Sequence, residues 1–335
     1  MTLAIVGSGL VSPTGTNAVQ HVMFLRAGAP PPPVSPFLLS DDRRLRVFYC
    51  PWLGARAKIA DRLLGLANAA ADEALAPLTS REMAFRPHLI LCTGAPRPGL
   101  SPGDVDALEE ALRRRLQPSS VERISGDAGT FVALKRLRTA PVRPEPTLLL
   151  AVDSMISLDT LTDIVVHPHS PWQRRPPHPS EAAAALLLWD EVHARRAGVP
   201  ALGFVDGAET ATDPANDDND ETVEGTALTE VVHKLPVRGP IALVFGQSDV
   251  DSFRIQDWVI ASARNHARLR PDCEMVCLEA DAGRIGGASG AASIVYGLTM
   301  IRHGAAPRQA PKDTPFVAWA TSPDGLRGAC AVRCA

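Results

Sequence analysis

The sequence predicts an α/β protein in which one βαβαβαββ unit occurs twice, giving a layered α/β/α/β/α fold with mixed five-stranded sheets. Three features support this prediction. Uninterrupted apolar runs such as residues 89–91 and 148–150 are typical of central strands buried on both faces. The order of predicted elements in the first part of the chain returns in the second. In both parts, a helix that begins with small residues precedes two closing strands.

The first unit is expected to span residues 1–195. Its predicted elements are separated by Gly- and Pro-rich segments, which interrupt regular structure. The predicted strands are 3–7, 88–93, 147–152 and 183–189, and the predicted helices are 16–27, 56–76, 104–116 and 127–138. A Pro-rich stretch at 29–36 follows the first helix and predicts a stiff, extended insertion.

The second unit is expected to span residues 196–335. The predicted strands are 201–205, 241–245, 274–278, 316–320 and 328–334, and the predicted helices are 222–233, 252–266 and 287–302. The turn sequence SPDG at 322–325 joins the last two strands as a hairpin. The acidic stretch 206–224 predicts a surface loop. The helices that begin near 127 and 287 are expected to pack against each other, because only small residues allow that approach.

Composition argues against several classes of function. A net charge of −3, a pI of about 6.3 and scattered arginines do not suit a nucleic-acid partner. No window approaches the roughly 18 apolar residues that span a bilayer. The first residues lack the basic segment of a signal peptide, so we expect a cytoplasmic protein without membrane contact. The six cysteines lack zinc-type spacing, which predicts that all six are buried, inert thiols. Neither a metal nor a cofactor is expected.

Four short segments resemble the thiolase-like superfamily, and within it the β-ketoacyl-acyl-carrier-protein synthases. Residues 5–15, IVGSGLVSPTG, resemble the family's opening xxGxGxVSPxG, and residues 151–155, AVDSM, resemble the strand end that follows its nucleophile helix. Residues 180–186, SEAAAAL, resemble GEGAAAL, and residues 283–290, GRIGGASG, resemble GHxxGAAG. The segments occur in family order over almost the whole chain. The resemblance implies a thiolase-like fold.

The same resemblance implies that the family's catalytic residues are replaced. Asp127 stands where the family has its nucleophilic cysteine, at the start of the central helix. Gly246 stands at the first histidine position, in a turn without histidine that continues with Gln247 and Ser248. Arg284 stands at the second histidine position.

Two further positions differ from the family pattern. Glu279 stands where the family has a lysine shortly before the second histidine, and the glycine-rich gating turn near the end is replaced by TSPDG at 321–325. Condensation needs a thiolate to take the acyl chain, and histidine donors contribute roughly 10²–10⁴ in rate. With these groups replaced, no catalytic residue is expected.

Three roles are open for the replaced residues. Asp127 can cap the helix that follows it, which is worth about 0.5–2 kcal/mol. It can instead pair with Arg284 and fill the former acyl pocket, since the two family positions face each other. The third role is an anion or acyl-carrier site that uses Arg284.

The sequence therefore predicts a catalytically inactive ketosynthase-like protein that acts as a partner subunit, scaffold or accessory protein in secretion or in polyketide or fatty-acid assembly. The alternative is an acyl-group-binding decarboxylase, hydrolase or transferase that uses Asp127 and Arg284, with Gln247 and Ser248 as further pocket residues. The resemblance implies a homodimer, or a heterodimer with a ketosynthase-like subunit, paired through the strand at 147–152. An acyl-carrier protein or a secretion-associated protein is a further expected partner, with the Pro-rich and acidic segments as contact surfaces.

Overall fold

The computed structural model describes residues 2–28, 31–39, 44–54, 57–166, 178–213, 223–237, 239–247, 253–306 and 315–335. Its strands are β1 (Leu3–Val11), β2 (His88–Thr93), β3 (Ser120–Ser125), β4 (Thr147–Ser154), β5 (Glu181–Asp190), β6 (Gly203–Thr212), β7 (Ile241–Gly246), β8 (Leu269–Val276), β9 (Phe316–Thr321) and β10 (Leu326–Cys334). Its helices are α1 (Ala18–Ala27), α2 (Ile59–Thr79), α3 (Pro102–Leu116), α4 (Gly129–Thr139), α5 (Leu158–Val166), α6 (Glu191–Arg196), α7 (Thr226–Lys234), α8 (Phe253–Arg264), α9 (Glu279–Ala282) and α10 (Ser289–Arg302).

The two parts of the chain have the same topology. The first five strands are ordered β3-β2-β4-β5-β1, and the last five are ordered β8-β7-β9-β10-β6, which is the same sequence of positions. In both parts three strands are parallel and the last two pairings are antiparallel. The predicted duplication is therefore present as a repeated topology. The change from one unit to the next falls between β5 and β6, while the independence of two domains at residue 195 stays a prediction.

The two five-stranded units are joined edge to edge. Leu3, Ala4 and Ile5 of β1 pair antiparallel with Val205, Phe204 and Gly203 of β6, so hydrogen bonding runs through one ten-stranded sheet. This junction was not expected from the sequence. It connects the two predicted mixed sheets into one.

Helices cover the two units on both faces. α2 packs on β1, β4 and β5 and is flanked by α3, forming one outer layer. α7 and α8 form the other outer layer, over β6, β7, β9 and β10. Between the units, α4 and α10 contact each other and share the largest core with strands of both halves. The result is the predicted α/β/α/β/α layering.

Alternation along the strands explains why both faces are buried. In β4, Leu148 and Leu150 point into the core beneath α2, whereas Leu149 points into the core around α4 and α10. A strand in this position needs apolar residues at every site, which is the pattern that the sequence shows.

A buried ion pair fixes the start of β5. Both Glu181 and Arg62 of α2 are 0% exposed, and the guanidinium of Arg62 donates from Nε and Nη2 to the two carboxylate oxygens, at 2.8 and 2.5 Å. The amide of Cys50 and the hydroxyl of Ser154 donate to the same carboxylate. Every carboxylate oxygen is thus matched with donors, as a buried charge requires.

Three expectations need correction. β4 is hydrogen-bonded to β2 on one side and to β5 on the other, so it has no edge left to pair with a second subunit. The terminal strand of this unit is β3, which the sequence prediction missed because its residues, SVERIS, are polar and half-exposed. The start of the acidic stretch is not a loop, since β6 continues to Thr212; residues 214–222 lie outside the described residues.

Two further findings bear on function. None of the helices in the described ranges combines the length and hydropathy that a bilayer crossing requires. Burial raises the pKa of Cys50 and Cys330, and raises that of Cys92 to about 12, so these thiols stay protonated at neutral pH. Cys273 and Cys277 are partly exposed, contrary to the expectation for all six thiols.

Candidate functional site

The candidate site lies where α4 begins, between the two units. Gly126 has φ +97° and turns the chain from β3 into α4, with Asp127 directly after it. Asp127 is 5% exposed, and the N-cap residue of α4 is its neighbour Ala128. The hydroxyl of Ser322, from the β9–β10 turn, accepts from the amide of Ala128 at 2.8 Å. The N-cap role expected for Asp127 is therefore not seen, because its carboxylate accepts from two arginines and Ser322, from the other half, is the acceptor for the amide of Ala128.

The carboxylate of Asp127 is held by two arginines. Its Oδ2 accepts from Nη2 of Arg254, in α8, at 2.8 Å and from Nη2 of Arg284 at 3.3 Å. Arg254 is 1% exposed and Arg284 is 3% exposed, so both ion pairs are buried. The expected pairing of Asp127 with Arg284 is present. Arg254 was not foreseen, and it makes the shorter contact.

Glu279 adds a second buried carboxylate to the same cluster. Its Oε2 lies 3.9 Å from Nη1 of Arg254, and its Oε1 accepts from the hydroxyl of Ser289 and from the amide of Ile285. The ion cluster formed by Asp127, Arg254, Arg284 and Glu279 thus contains two positive and two negative side chains. This balance is what allows four charges to be buried together.

The backbone positions Arg284. Its amide donates to the carbonyl of His178 at 2.9 Å, and its carbonyl accepts from the amide of Ser180 at 3.0 Å. Residue 284 is therefore fixed to the segment that leads into β5. The side chain leaves this anchored backbone toward the start of α4.

Small residues let α10 approach α4 and β2. A Cβ added to Gly290 would lie 2.9 Å from Cβ of Thr130, and one added to Gly287 would lie 2.3 Å from the amide nitrogen of Gly94. The carboxylate of Asp153, at the end of β4, accepts from the amide of Gly287 at 2.9 Å. The expected packing of the two small-residue helix starts is confirmed.

The fold and this geometry can be compared with known structures. A solved structure described as the ishigamide ketosynthase/chain length factor matches with a TM-score of 0.70 and 19% identity, over 100% of this chain and 99% of that chain. A type II PKS acyl-carrier protein in complex with its ketosynthase, AntDE:AntF, matches with a TM-score of 0.71 and 14% identity, over 100% and 99%. The ketosynthase from module 6 of the bacillaene synthase of Bacillus subtilis 168 matches with a TM-score of 0.75 and 12% identity, over 100% and 72%.

The chain has the ketosynthase-like thiolase fold. No protein-family model matches the sequence, and neither does any curated protein. The likeness therefore lies in the fold, and what the chain does must be argued from its own site.

Two of the remaining predicted site residues, Gly246 and Gln247, contact strand β9. A Cβ added to Gly246 would lie 2.1 Å from Nε1 of Trp319, so the site has no room for a side chain. The Oε1 of Gln247 accepts from the amide of Thr321 at 2.8 Å. Gln247 thus secures the end of β9, and its expected role as a ligand contact stays a prediction. Ser248 lies outside the described residues.

The chemistry open to this arrangement is limited. The carboxylate of Asp127 accepts from two arginines, and a carboxylate engaged in buried ion pairs is a poor base and a poor acyl nucleophile. A thiol does lie nearby, since Cys92 of β2 contacts Thr130 in the first turn of α4. It is 0% exposed, and burial raises its pKa to about 12, so it carries no thiolate at neutral pH. Within the described ranges, no three His, Cys, Asp or Glu side chains are grouped to hold a metal ion.

Sequence reasoning missed Arg254 and Ser322 for different reasons. Arg254 is the second residue of α8, and nothing in its sequence neighbours indicates a contact with residue 127. Ser322 was assigned only to a hairpin turn. One signal was available for each. A buried carboxylate requires a cation, which pointed to an arginine such as Arg254. Amides near a helix start require acceptors, which pointed to a hydroxyl such as that of Ser322.

Proposed function

We propose that this chain is a catalytically inactive ketosynthase-like protein that acts as a partner subunit, scaffold or accessory protein. The observation that carries the proposal is the ion cluster at the start of α4, where Asp127 is bound to Arg254 and Arg284. A thioester reaction at this place needs a thiolate and proton donors. The described residues of the cluster offer a carboxylate bound to two guanidinium groups instead.

The cluster also explains why an inactive chain keeps this fold. Its four charged side chains fill the space between the helix starts, and each is at most 5% exposed. The paired charges connect the two halves through buried contacts. Such a junction supports a binding surface and does not require turnover.

We further infer that β3 forms the subunit contact. β3 is the terminal strand of the sheet. The amide of Gly126 donates to the carbonyl of Thr93, so the N–H groups of the even-numbered residues point toward β2. Because these directions alternate along a strand, the N–H groups of residues 121, 123 and 125 point away from β2. An outward row of backbone groups is a template for a strand from another chain. The partner is a second copy or a ketosynthase-like chain, and an acyl-carrier protein or a secretion-associated protein is the proposed client of the assembly.

An assay of turnover tests the catalytic half of this proposal. Purified protein is incubated with an acyl-loaded and a malonyl-loaded acyl-carrier protein, and condensation and decarboxylation products are measured. The account predicts that neither product exceeds the level measured in the same mixture without the protein. Product formation that depends on Asp127 would instead establish the alternative, an acyl-group-binding decarboxylase, hydrolase or transferase.

A further inference from the structure

Helix α8 carries two buried, oppositely charged side chains on one face. Arg254 and Asp257 are three residues apart, so they lie side by side, and they are 1% and 0% exposed. Arg254 binds Asp127 at the start of α4. Asp257 accepts a hydrogen bond from Nε of Arg327, at the start of β10. One helix therefore contacts two distant elements through ion pairs.

Arg327 connects this helix to the β9–β10 turn. Its Nη1 donates to the carbonyl of Ser322 at 3.1 Å, while its Nε is bound to Asp257. The hydroxyl of Ser322 accepts from the amide of Ala128, which directly follows Asp127. The contacts close a ring that starts and ends on α8, passing through Arg327, Ser322 and the start of α4.

The turn inside this ring is held on its other sides as well. Gln247 accepts from the amide of Thr321 at 2.8 Å, and the carbonyl of Gly325 accepts from the amide of Asp213 at 3.0 Å. Ser322 is 0% exposed. The position of its hydroxyl is thus set by neighbours and does not depend on solvent.

We propose that Asp257 and Arg327 are positioning residues for the start of α4. They hold Ser322 against the amide of Ala128, so that α8 controls this helix start by two routes, directly through Arg254 and indirectly through the turn. The coupling follows from these contacts of the described residues, whether or not the chain is a catalyst.

The charges around Arg327 determine how the turn responds when Asp257 loses its charge. The carboxylate of Asp213, just after the end of β6, lies 3.6 Å from Nε of Arg327. In Asp257→Asn, the carboxylate of Asp213 attracts the guanidinium of Arg327 more strongly than residue 257 does. We expect the guanidinium to move toward Asp213 and its hydrogen bond to the carbonyl of Ser322 to weaken. The turn then loses a restraint, and the amide of Ala128 loses its acceptor more often. Residue 257 does not touch α4 in any hydrogen bond of the described chain, so an effect there reports the coupling.

Hydrogen exchange of individual amides tests this proposal. In Asp257→Asn, the amide of Ala128 is expected to exchange about three- to tenfold faster, the factor that corresponds to one lost hydrogen bond. Arg264→Ala is the matched control, because it breaks a contact from the same helix to the carbonyl of Glu224, outside the ring. It should leave Ala128 unchanged.

Ser322→Ala completes the test. In this background Asp257→Asn should add no further acceleration at Ala128, since the connecting hydroxyl is already gone. By reciprocity, Ser322→Ala alone should also speed exchange at the start of α8 and of β10. If Asp257→Asn does not fold, the exchange rates of Ser322→Ala alone test the coupling. Acceleration confined to α8 and β10 in Asp257→Asn, or equal effects of Asp257→Asn with and without Ser322, would overturn the proposal.

Discussion

The carboxylate of Asp127 accepts a hydrogen bond from the guanidinium of Arg254 at 2.8 Å, across the interface between the two repeated units. Asp127 lies just before helix α4 of the first unit, and Arg254 belongs to helix α8 of the second. This contact and the neighbouring Arg284 form a buried, charge-balanced ion cluster between the two units. The stability and the activity of the protein are expected to depend on this ion cluster and on the surrounding fold.

Replacing Asp127 by Asn should destabilise the fold strongly. The substitution removes the negative charge that two buried guanidinium groups share, and breaking a buried ion pair costs about 3 kcal/mol or more. Urea unfolding measures the change in the free energy of unfolding. Glu110→Gln is the control, because its pair with Arg114 is more than half exposed, at 61% and 68%, and should cost less than about 0.5 kcal/mol. Equal effects of the two variants would show that Asp127 is not structurally bound as described.

The pair of Glu181 and Arg62 should be at least as important. In Glu181→Gln the fully buried Arg62 loses its counter-charge, and the expected loss is about 3–5 kcal/mol of unfolding free energy. Thermal and urea unfolding both report it. Glu230→Gln, which removes an exposed partner of Lys234, is the control and should behave like the wild type. A loss near zero for Glu181→Gln would mean that solvent reaches this site.

His21 should make the protein sensitive to mild acid. Its Nδ1 contacts the carbonyl of Asn17, an acceptor, so this nitrogen carries the proton and Nε2 accepts from the hydroxyl of Ser12. Burial lowers the pKa of His21 to about 4, from the ordinary value of 6.5. The charged form is therefore disfavoured in the folded state, and stability falls as the pH drops from 6.5 toward 4.

The expected loss from this histidine is roughly 2–3 kcal/mol by pH 4.5. Unfolding free energies at pH 7 and pH 4.5 measure it, and His21→Gln should remove that part of the pH dependence. His193→Gln, on the half-exposed helix α6, is the control and should show the same loss of stability between pH 7 and pH 4.5 as the wild type. If the wild type and His21→Gln lose the same amount over this interval, His21 titrates normally in the folded protein.

Self-association should depend on the edge of β3. Ser125→Pro removes an N–H group that points away from β2, while the side chain at this position is exposed. Sedimentation equilibrium should show a lower mass for this variant than for Ser125→Ala, which keeps the N–H group. The far-UV circular dichroism of the two should agree. An unchanged mass in Ser125→Pro would place the subunit contact elsewhere.

The central strands could be predicted from the sequence because they bury both faces. The runs in β2 and β4 are continuous and apolar, and the order of elements then indicates the duplication. β3 escaped prediction for the opposite reason, since a half-exposed edge strand carries polar residues and lacks this signal. Because the sequence does not reveal β3, it predicts the subunit contact at 147–152, in β4, although β4 is paired on both sides.

The candidate site was predictable only in part. The family positions at Asp127, Glu279 and Arg284 identified three of the four members of the ion cluster. Arg254 and Ser322 could not be placed, because each reaches the site from another element, over 127 and 194 residues of sequence. Local sequence reports local structure, whereas contacts between units depend on how those units pack.

The most direct test of the central claim is the mass of the intact protein after incubation with acyl-loaded acyl-carrier protein, followed by peptide mapping. The account predicts an unmodified chain, because the start of α4 offers a carboxylate bound to Arg254 and a buried, protonated Cys92. A stable acyl group mapped to Asp127 or Cys92 would contradict it.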